Sequence, residues 1–454
     1  MAHINDFLLQ LSNLLWGWPM IILLLGTHVF LTVRLRLPQR WLLKAIRLSV
    51  RKDPDTQGDV SQFGALSTAM AATIGTGNIV GVATAVALGG PGAVMWCWLT
   101  GLFGIATKYA EALLAVKYRV KAADGRTYGG PMYALERGLG LKWLAVLFAV
   151  LTAVASLGIG SMVQSNSIAL MTLQTFGIPG WVTGVVVSVL TAAVVIGGVR
   201  SIARVCAVLV PFMAVLYVLG CVAILALNSD YVWPALSLIV RSAFSSEAVG
   251  GGLSGATVMM AARYGIARGL FSNESGLGSA PIVAAAAKTR NPVRQALVSS
   301  SATFWDTVII CALTGLVVVS SILAHPDIDY TNGATLTHVA FAKIPYIGSP
   351  LLTFGILTFA FSTILGWCYY GQSAVSYLGR TRGGQIYRMV YIAFVFIGSV
   401  STLDVIWSLA DCTNALMAIP NIVCLLLLSG VIVRETRHYL WNNHLDDCME
   451  DSEA

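Results

Sequence analysis

The chain has 454 residues, 57% of them hydrophobic and 11% charged, with a net charge of +7 and a mean hydropathy of +0.77. A soluble domain carries about 25% charged residues, so a deficit spread over the whole length predicts a polytopic membrane protein and excludes a soluble domain on one anchor. The excess positive charge sits in short loops between apolar runs, as topology requires, and implies no nucleic-acid partner.

The first apolar run, Leu14–Val33, is long enough to span and is followed by Arg34, Arg36, Arg40, Lys44 and Arg47. That flank is the reverse of a secretory signal and places the N-terminus outside. Trp41 to Lys52 is basic and amphipathic and suits the cytoplasmic surface. Segment two, Phe63–Leu88, ends at the turn Gly89-Gly90-Pro91-Gly92, and segment three is Ala93–Val116. After a basic loop come segment four, Trp143–Gln174, and segment five, Trp181–Gly197. A short loop with Arg200 and Arg204 precedes segment six, Val205–Leu227. Residues 228–252 read as an external interfacial stretch, followed by segment seven, Leu253–Ala287, and segment eight, Ala296–Leu323. His325 to Tyr346 reads as a loop. Segment nine is Pro350–Tyr377, segment ten the short Met389–Val400, and segment eleven Ile406–Val433, before an acidic tail.

Basic residues follow segments one, three, five, seven, nine and eleven, whereas the other loops carry almost none. Eleven spans with the N-terminus out and the C-terminus in satisfy the positive-inside rule. The eight cysteines, Cys97, Cys206, Cys221, Cys311, Cys368, Cys412, Cys424 and Cys448, contain no CxxC pair. They suggest neither a disulfide framework nor a zinc site, and no metal-ligand spacing links the six histidines.

Segment two is anomalous. Ala72-Thr-Ile-Gly-Thr-Gly-Asn-Ile-Val-Gly81 concentrates glycine, threonine and asparagine inside an apolar run. Glycine costs a helix interior about 1 kcal/mol relative to alanine. Backbone that leaves the helix at membrane depth must line a cavity or be buried in protein. Segment seven repeats the anomaly: Gly269 to Pro281 places Ser272, Asn273, Glu274, Gly276 and Gly278 at membrane depth. Two glycine-interrupted segments in corresponding halves point to a transporter's binding site. With segment one set aside, ten segments divide into two fives, each opening on a broken helix and of opposite orientation. The fold class is therefore an all-α membrane protein with one N-terminal helix (14–33) and a 5+5 inverted repeat (63–227 and 253–433). With the cytoplasmic tail (434–454), these form one transmembrane domain over 1–454.

Several motifs carry a resemblance. They are Ser67 to Gly81, Gly89-Gly-Pro-Gly-Ala93, Lys108-Tyr-Ala-Glu111, Tyr128-Gly-Gly-Pro-Met132, Gly269 to Pro281, and Phe361-Ser-Thr-Ile-Leu-Gly-Trp367. On these the chain resembles the alanine or glycine:cation symporter family, the sodium:alanine symporters, across nearly its whole length. The resemblance implies the leucine-transporter-type superfold and sodium-coupled symport of small neutral amino acids by alternating access. It places the protein in the bacterial inner membrane, and implies no enzyme activity and no cofactor beyond Na⁺ as coupling ion. It also implies substrate contacts at Gly75, Thr76, Gly77, Asn78, Gln164, Gly276 and Trp367, and sodium ligands at the carbonyls of Ala71 and Ile74 and the hydroxyls of Ser362 and Thr363.

Each residue also has a plainer reading. Asn78 could satisfy the unwound backbone, Ser362 and Thr363 could bond their own helix, and Gln164 could join helices. Trp367 reads as an interfacial residue or as a wall limiting substrate size. Ser272, Asn273 and Glu274 read as coupling or structural groups; Glu274 could hold the substrate ammonium, carry a proton or bond the broken backbone. Lys108 and Glu111, at i and i+3, are expected to pair on one helix face. Asp306, Asp404 and Asp411 receive no role. Proton coupling through Glu274 is the rival to sodium coupling, ahead of a membrane-embedded enzyme or a channel. Oligomeric state is not legible.

Overall fold

The computed structural model describes residues 2–51, 53, 56–122, 125–244, 258–328, 333–344, 346–401 and 404–449. About 83% of the described residues are helical. Among the described residues, eight helices are long and apolar enough to cross a membrane, and a bent pair makes nine.

The N-terminal run forms two helices, α1 (Ala2–Leu15) and α2 (Trp18–Arg34), so Leu14–Val33 straddles their junction. The amphipathic stretch contains α3 (Leu42–Ser49), with Ala45 and Leu48 buried. Segment two is broken, as α4 (Gln62–Thr73) and α5 (Gly77–Gly89) meet at a bend of 51°. Segments three, four and five become α6 (Gly92–Lys117), α7 (Lys142–Phe176) and α8 (Gly180–Val195). Arg200 and Arg204, expected in a loop, lie in the first turns of α9 (Gly198–Leu227), because nothing between Gly198 and Val205 interrupts a helix.

The expected interfacial stretch holds α10 (Ser229–Phe244); its residues 245–252, and residues 253–257 of segment seven, fall outside the described residues. Segment seven is α11 (Val258–Asn273), an irregular break, and one turn of helix, α12 (Pro281–Ala284). Its second half is thus far shorter than a half-span. Segment eight is α13 (Pro292–Ala324). The expected loop after it contains α14 (Gly333–Ala342), whose Thr337 hydroxyl donates to the Ile79 carbonyl at 3.0 Å.

Segments nine and ten, expected as separate spans, are helical without interruption from Gly348 to Val400. They cannot be one rod. The Tyr391 hydroxyl donates to the Ile364 carbonyl, 27 residues away, at 2.9 Å; a straight helix would separate these residues by about 40 Å. The chain therefore doubles back between α15 (Gly348–Gly379) and α16 (Arg382–Val400). The last long helix is α17 (Asp404–Leu427), and α18 (Ser429–Thr436) follows.

Seven helices frame the centre. α11 and α13 pack on α6, α15 packs on α4 and α7, and α17 packs on α7. At the basic end of the bundle the chain entering α4 pairs with the chain leaving α12: Val60 bridges Ala287, and the Lys288 N–H donates to the Val60 carbonyl at 2.7 Å. Arg119 seals this junction from the loop after α6, donating to the carbonyls of Ala287 (2.9 Å) and Gln57 (3.3 Å). Buried Arg294 pairs with Asp53 at 2.8 Å and with Asp446 of the C-terminal segment at 2.7 Å. The hydrogen bond from Arg294 holds the Asp446 carboxyl below its usual range.

Candidate functional site

The last carbonyls of a helix have no intrahelical partner. At the end of α4 the chain uses this. Ile74 turns extended (φ −77°, ψ 95°), and Gly75 and Thr76 connect to a wide i→i+5 turn over Gly77–Gly81. The Ala71 carbonyl accepts from Thr363 Oγ1 at 3.1 Å and from Ser362 Oγ at 3.3 Å. Both hydroxyls also reach the Phe359 carbonyl of their own helix, at 3.0 and 2.8 Å. Each has only one proton, so each retains lone pairs beside Ala71. Neutral oxygens from two helices thus converge. A Cβ at Gly75 would lie 2.7 Å from Thr363 Oγ1, so glycine permits the close approach.

Asn78 does not line the cavity beside this cluster. Its Oδ1 accepts from the Gly75 N–H at 2.9 Å, and its Nδ2 donates to Asp306 Oδ1 at 2.7 Å. These bonds match the plainer reading of Asn78, since the unwound backbone and a buried carboxylate take up its amide. Asp306 also accepts from Ser272 Oγ (3.0 Å) and Thr307 Oγ1 (2.6 Å), which gives this otherwise unassigned residue a place between the two breaks.

The second break begins at Glu274, whose φ of +53° is left-handed. Glu111 of α6 caps it: Oε1 accepts from the N–H groups of Gly276 (2.9 Å) and Gly278 (3.1 Å) and from Asn421 Nδ2 (2.7 Å). Asn421 also donates to the Gly276 carbonyl at 2.9 Å. Gly276 is therefore spent on protein partners and faces Leu24 and His28, away from the cavity. The expected Lys108–Glu111 pair does not form, because backbone donors at the break claim the carboxylate. The Lys108 ammonium is buried without a hydrogen-bond partner among the described residues. Glu274 accepts from Ser279 Oγ and from Trp367 Nε1 (3.1 Å). Asn273 also turns inward, accepting from the Ser275 N–H at 2.9 Å.

Between the breaks lies a small cavity of about 20 Å³, above the ~10–15 Å³ that one water needs. Ala72, Thr73, Gly75, Thr76 and Gly77 line it from the first break, and Phe271, Ser272 and Glu274 from the second. Ile159 and Gln164 of α7, Thr363 and Trp367 of α15 and Asn414 of α17 close it. Gln164 Nε2 donates to the Ile159 carbonyl at 3.2 Å. Trp367 is fixed by Glu274 and by close packing on Gly160, which lies in a second wide turn, Ser156–Val163. A third, Phe304–Cys311, carries Asp306. Such turns gather at functional sites, and nothing in the composition of these stretches announces them. Glu111, Asp306 and Asn414 are the site residues that sequence reasoning missed. A lone carboxylate in an apolar segment was the available signal for the first two, and a lone amide for the third.

Two broken helices around a small buried cavity, in a bundle of apolar helices, define a multi-pass membrane transporter. Solved structures agree on the fold. MhsT in complex with L-phenylalanine aligns with a TM-score of 0.57 at 14% identity, covering 82% of this chain and 90% of that one. A manganese transporter of Eremococcus coleocola aligns with a TM-score of 0.52 at 13% identity, covering 84% and 82%. The chain matches the sodium:alanine symporter family over residues 1–451 and belongs to it. It is 51% identical over 451 residues to an uncharacterized transporter of Haemophilus influenzae, covering 98% of each chain. It is 49% identical over 436 residues to the sodium/alanine symporter AgcS of Methanococcus maripaludis, covering 94% of this chain and 95% of that one. A probable sodium/glutamine symporter, GlnT, of Bacillus subtilis is 34% identical over 447 residues, covering 97% and 91%.

Proposed function

We propose that the protein imports small neutral amino acids, alanine and glycine first, in symport with sodium by alternating access. The observation that carries this is the cluster of Ala71 O, Ser362 Oγ and Thr363 Oγ1 beside the unwound backbone at Gly75–Gly77. Neutral oxygens suit a monovalent cation, and unwound carbonyls coordinate sodium in such transporters; the Ile74 carbonyl completes the set. Sodium enters as co-substrate, and no other cofactor is proposed. The N-terminus of α5 carries unpaired N–H groups and about half a positive charge. It receives the substrate carboxylate through Thr76 and Gly77, with Gln164 alongside. Trp367, held in place by Glu274 and Gly160, limits side-chain size. Asn78 and Gly276 act as positioning residues, since their polar groups are spent on the protein. The family's name and the relative AgcS support alanine as the cargo.

The spans are proposed as eleven: the nine above, α8, and α11 with its break. The one domain divides into 14–33, the inverted repeats 63–227 and 253–433, and the tail 434–454. Pairing of the start of α4 with the end of α12 supports opposite orientation of the broken helices. The basic residues beside this junction support a cytoplasmic position for it and for the C-terminus in a bacterial inner membrane, with the N-terminus outside. Import then requires the junction to part.

Counterflow of radiolabelled alanine, glycine and serine in proteoliposomes tests the reading. Exchange in Na⁺ that vanishes in choline is expected; equal exchange in both would remove sodium coupling. The proton rival is tested in the same vesicles with Glu274→Gln. Loss of uptake together with a pH-driven, sodium-independent wild type would favour it.

A further inference from the structure

The wall of the cavity on α17 holds a polar group that none of the described residues satisfies. Asn414 is 2% exposed and lines the cavity, and its Oδ1 has no hydrogen-bond donor among the described residues. Buried polar atoms in folded proteins almost always find partners, so an orphan at a ligand cavity asks what ligand would supply the donor.

Of the other side-chain amide and carboxylate acceptors at the cavity, Glu274 accepts from Trp367 and Ser279, and Gln164 Oε1 accepts from the Thr76 hydroxyl at 3.5 Å. The adjacent Thr413 does not line the cavity, and its hydroxyl donates to the carbonyls of Leu409 and Ala410 in its own helix. An amino acid arrives with a carboxylate and an ammonium group. The carboxylate is matched by N–H groups at the first break, whereas the ammonium carries three donors and requires acceptors.

We propose that Asn414 Oδ1 accepts a hydrogen bond from the substrate ammonium, which makes α17 part of the binding site and Asn414 a determinant of selectivity for primary amines. This rests on the amino-acid reading above. A neutral amide adds no buried charge when the substrate leaves, so it serves a site that must empty in each cycle.

The test is uptake of radiolabelled alanine into proteoliposomes by wild type, Asn414→Ala and Asn414→Asp, with sodium binding to the purified protein titrated without alanine. Hydrogen bonds to charged groups are the strong ones, so Asn414→Ala is expected to raise the alanine KM about tenfold or more. Its maximal rate and its sodium titration should stay near wild type, which shows the site is assembled. Asn414→Asp keeps an acceptor, and its KM should remain within about threefold of wild type. An unlabelled hydroxy acid, lactate, should compete poorly against wild type and approach alanine's potency against Asn414→Ala. An unchanged KM in Asn414→Ala overturns the proposal. So does equal damage in both variants, since an amide that donates to the substrate carboxylate would be harmed as much by Asp as by Ala. A wild type without sodium-dependent alanine uptake would instead sink the functional reading, and this proposal with it.

Discussion

The two broken helices differ in what holds them open. The first break is three residues long, 74–76, and leaves groups facing the cavity, which Gly75, Thr76 and Gly77 line; beside them the Ala71 carbonyl accepts from two hydroxyls. The second is seven residues long, 274–280, and is wired to its surroundings. Glu111 takes two of its N–H groups, Asn421 one carbonyl, and Trp367 and Ser279 the Glu274 carboxylate. Freed backbone that stays available can serve ligands, whereas backbone that is capped serves as frame. Asn78 and Asp306 couple the two, because Asp306 accepts from Asn78 on one side and Ser272 on the other.

The largest expected effect strikes the frame. Glu111→Ala strands the N–H groups of Gly276 and Gly278 and the amide of Asn421. At about 1–3 kcal/mol for each buried donor, it should lower the thermal unfolding temperature in detergent sharply and abolish transport. Asn78→Ala should cost about 1–3 kcal/mol, since Gly75 and Asp306 each lose a partner, and should impair uptake of every substrate alike. Thr363→Ala tests the other half of the comparison: the sodium half-saturation should rise about tenfold, while stability changes by about 1 kcal/mol or less. Equal damage to stability and sodium response would erase the distinction between the breaks. Trp367→Phe removes the donor to Glu274 and shrinks the wall, so it should admit residues larger than serine at a cost of about 1 kcal/mol, read by competition against labelled alanine.

The smallest effect lies at the basic end. The Asp446 carboxyl is held low by Arg294. Its stabilisation is therefore present above the unfolded carboxylate value of about 3.9 and fades as pH falls through the lower folded value. Asp446→Asn should loosen the C-terminal segment at neutral pH and make no difference in strong acid. Anisotropy of a fluorophore on Cys448, an exposed cysteine, reads this.

Much of this was legible before any coordinates. Glycine clusters at 72–81 and 269–281 marked both breaks, because several glycines interleaved with polar residues destabilise a helix at membrane depth. The roles of the breaks were not legible. Both stretches mix Gly, Asn and hydroxyl residues, and only geometry shows that Asn78 turns to backbone while Gly276 is capped from α6. Lys108 and Glu111 looked like an ion pair because helical spacing permits one; competition from backbone donors lies outside local sequence. The hairpin at α15–α16 was legible as two spans, but the form of its turn was not. Residues 378–388 contain glycines and charges that read as a loop, yet they stay helical.

The central claim is that ion and substrate share one stretch of unwound backbone. Linkage makes it measurable: if alanine lowers the Kd for sodium by some factor, sodium must lower the Kd for alanine by the same factor. Titrating each ligand against the purified protein at fixed levels of the other gives both numbers. The shared site predicts equal factors, well above one, that collapse toward one in Thr363→Ala. Independent titrations in the wild type, with both factors equal to one, would contradict it.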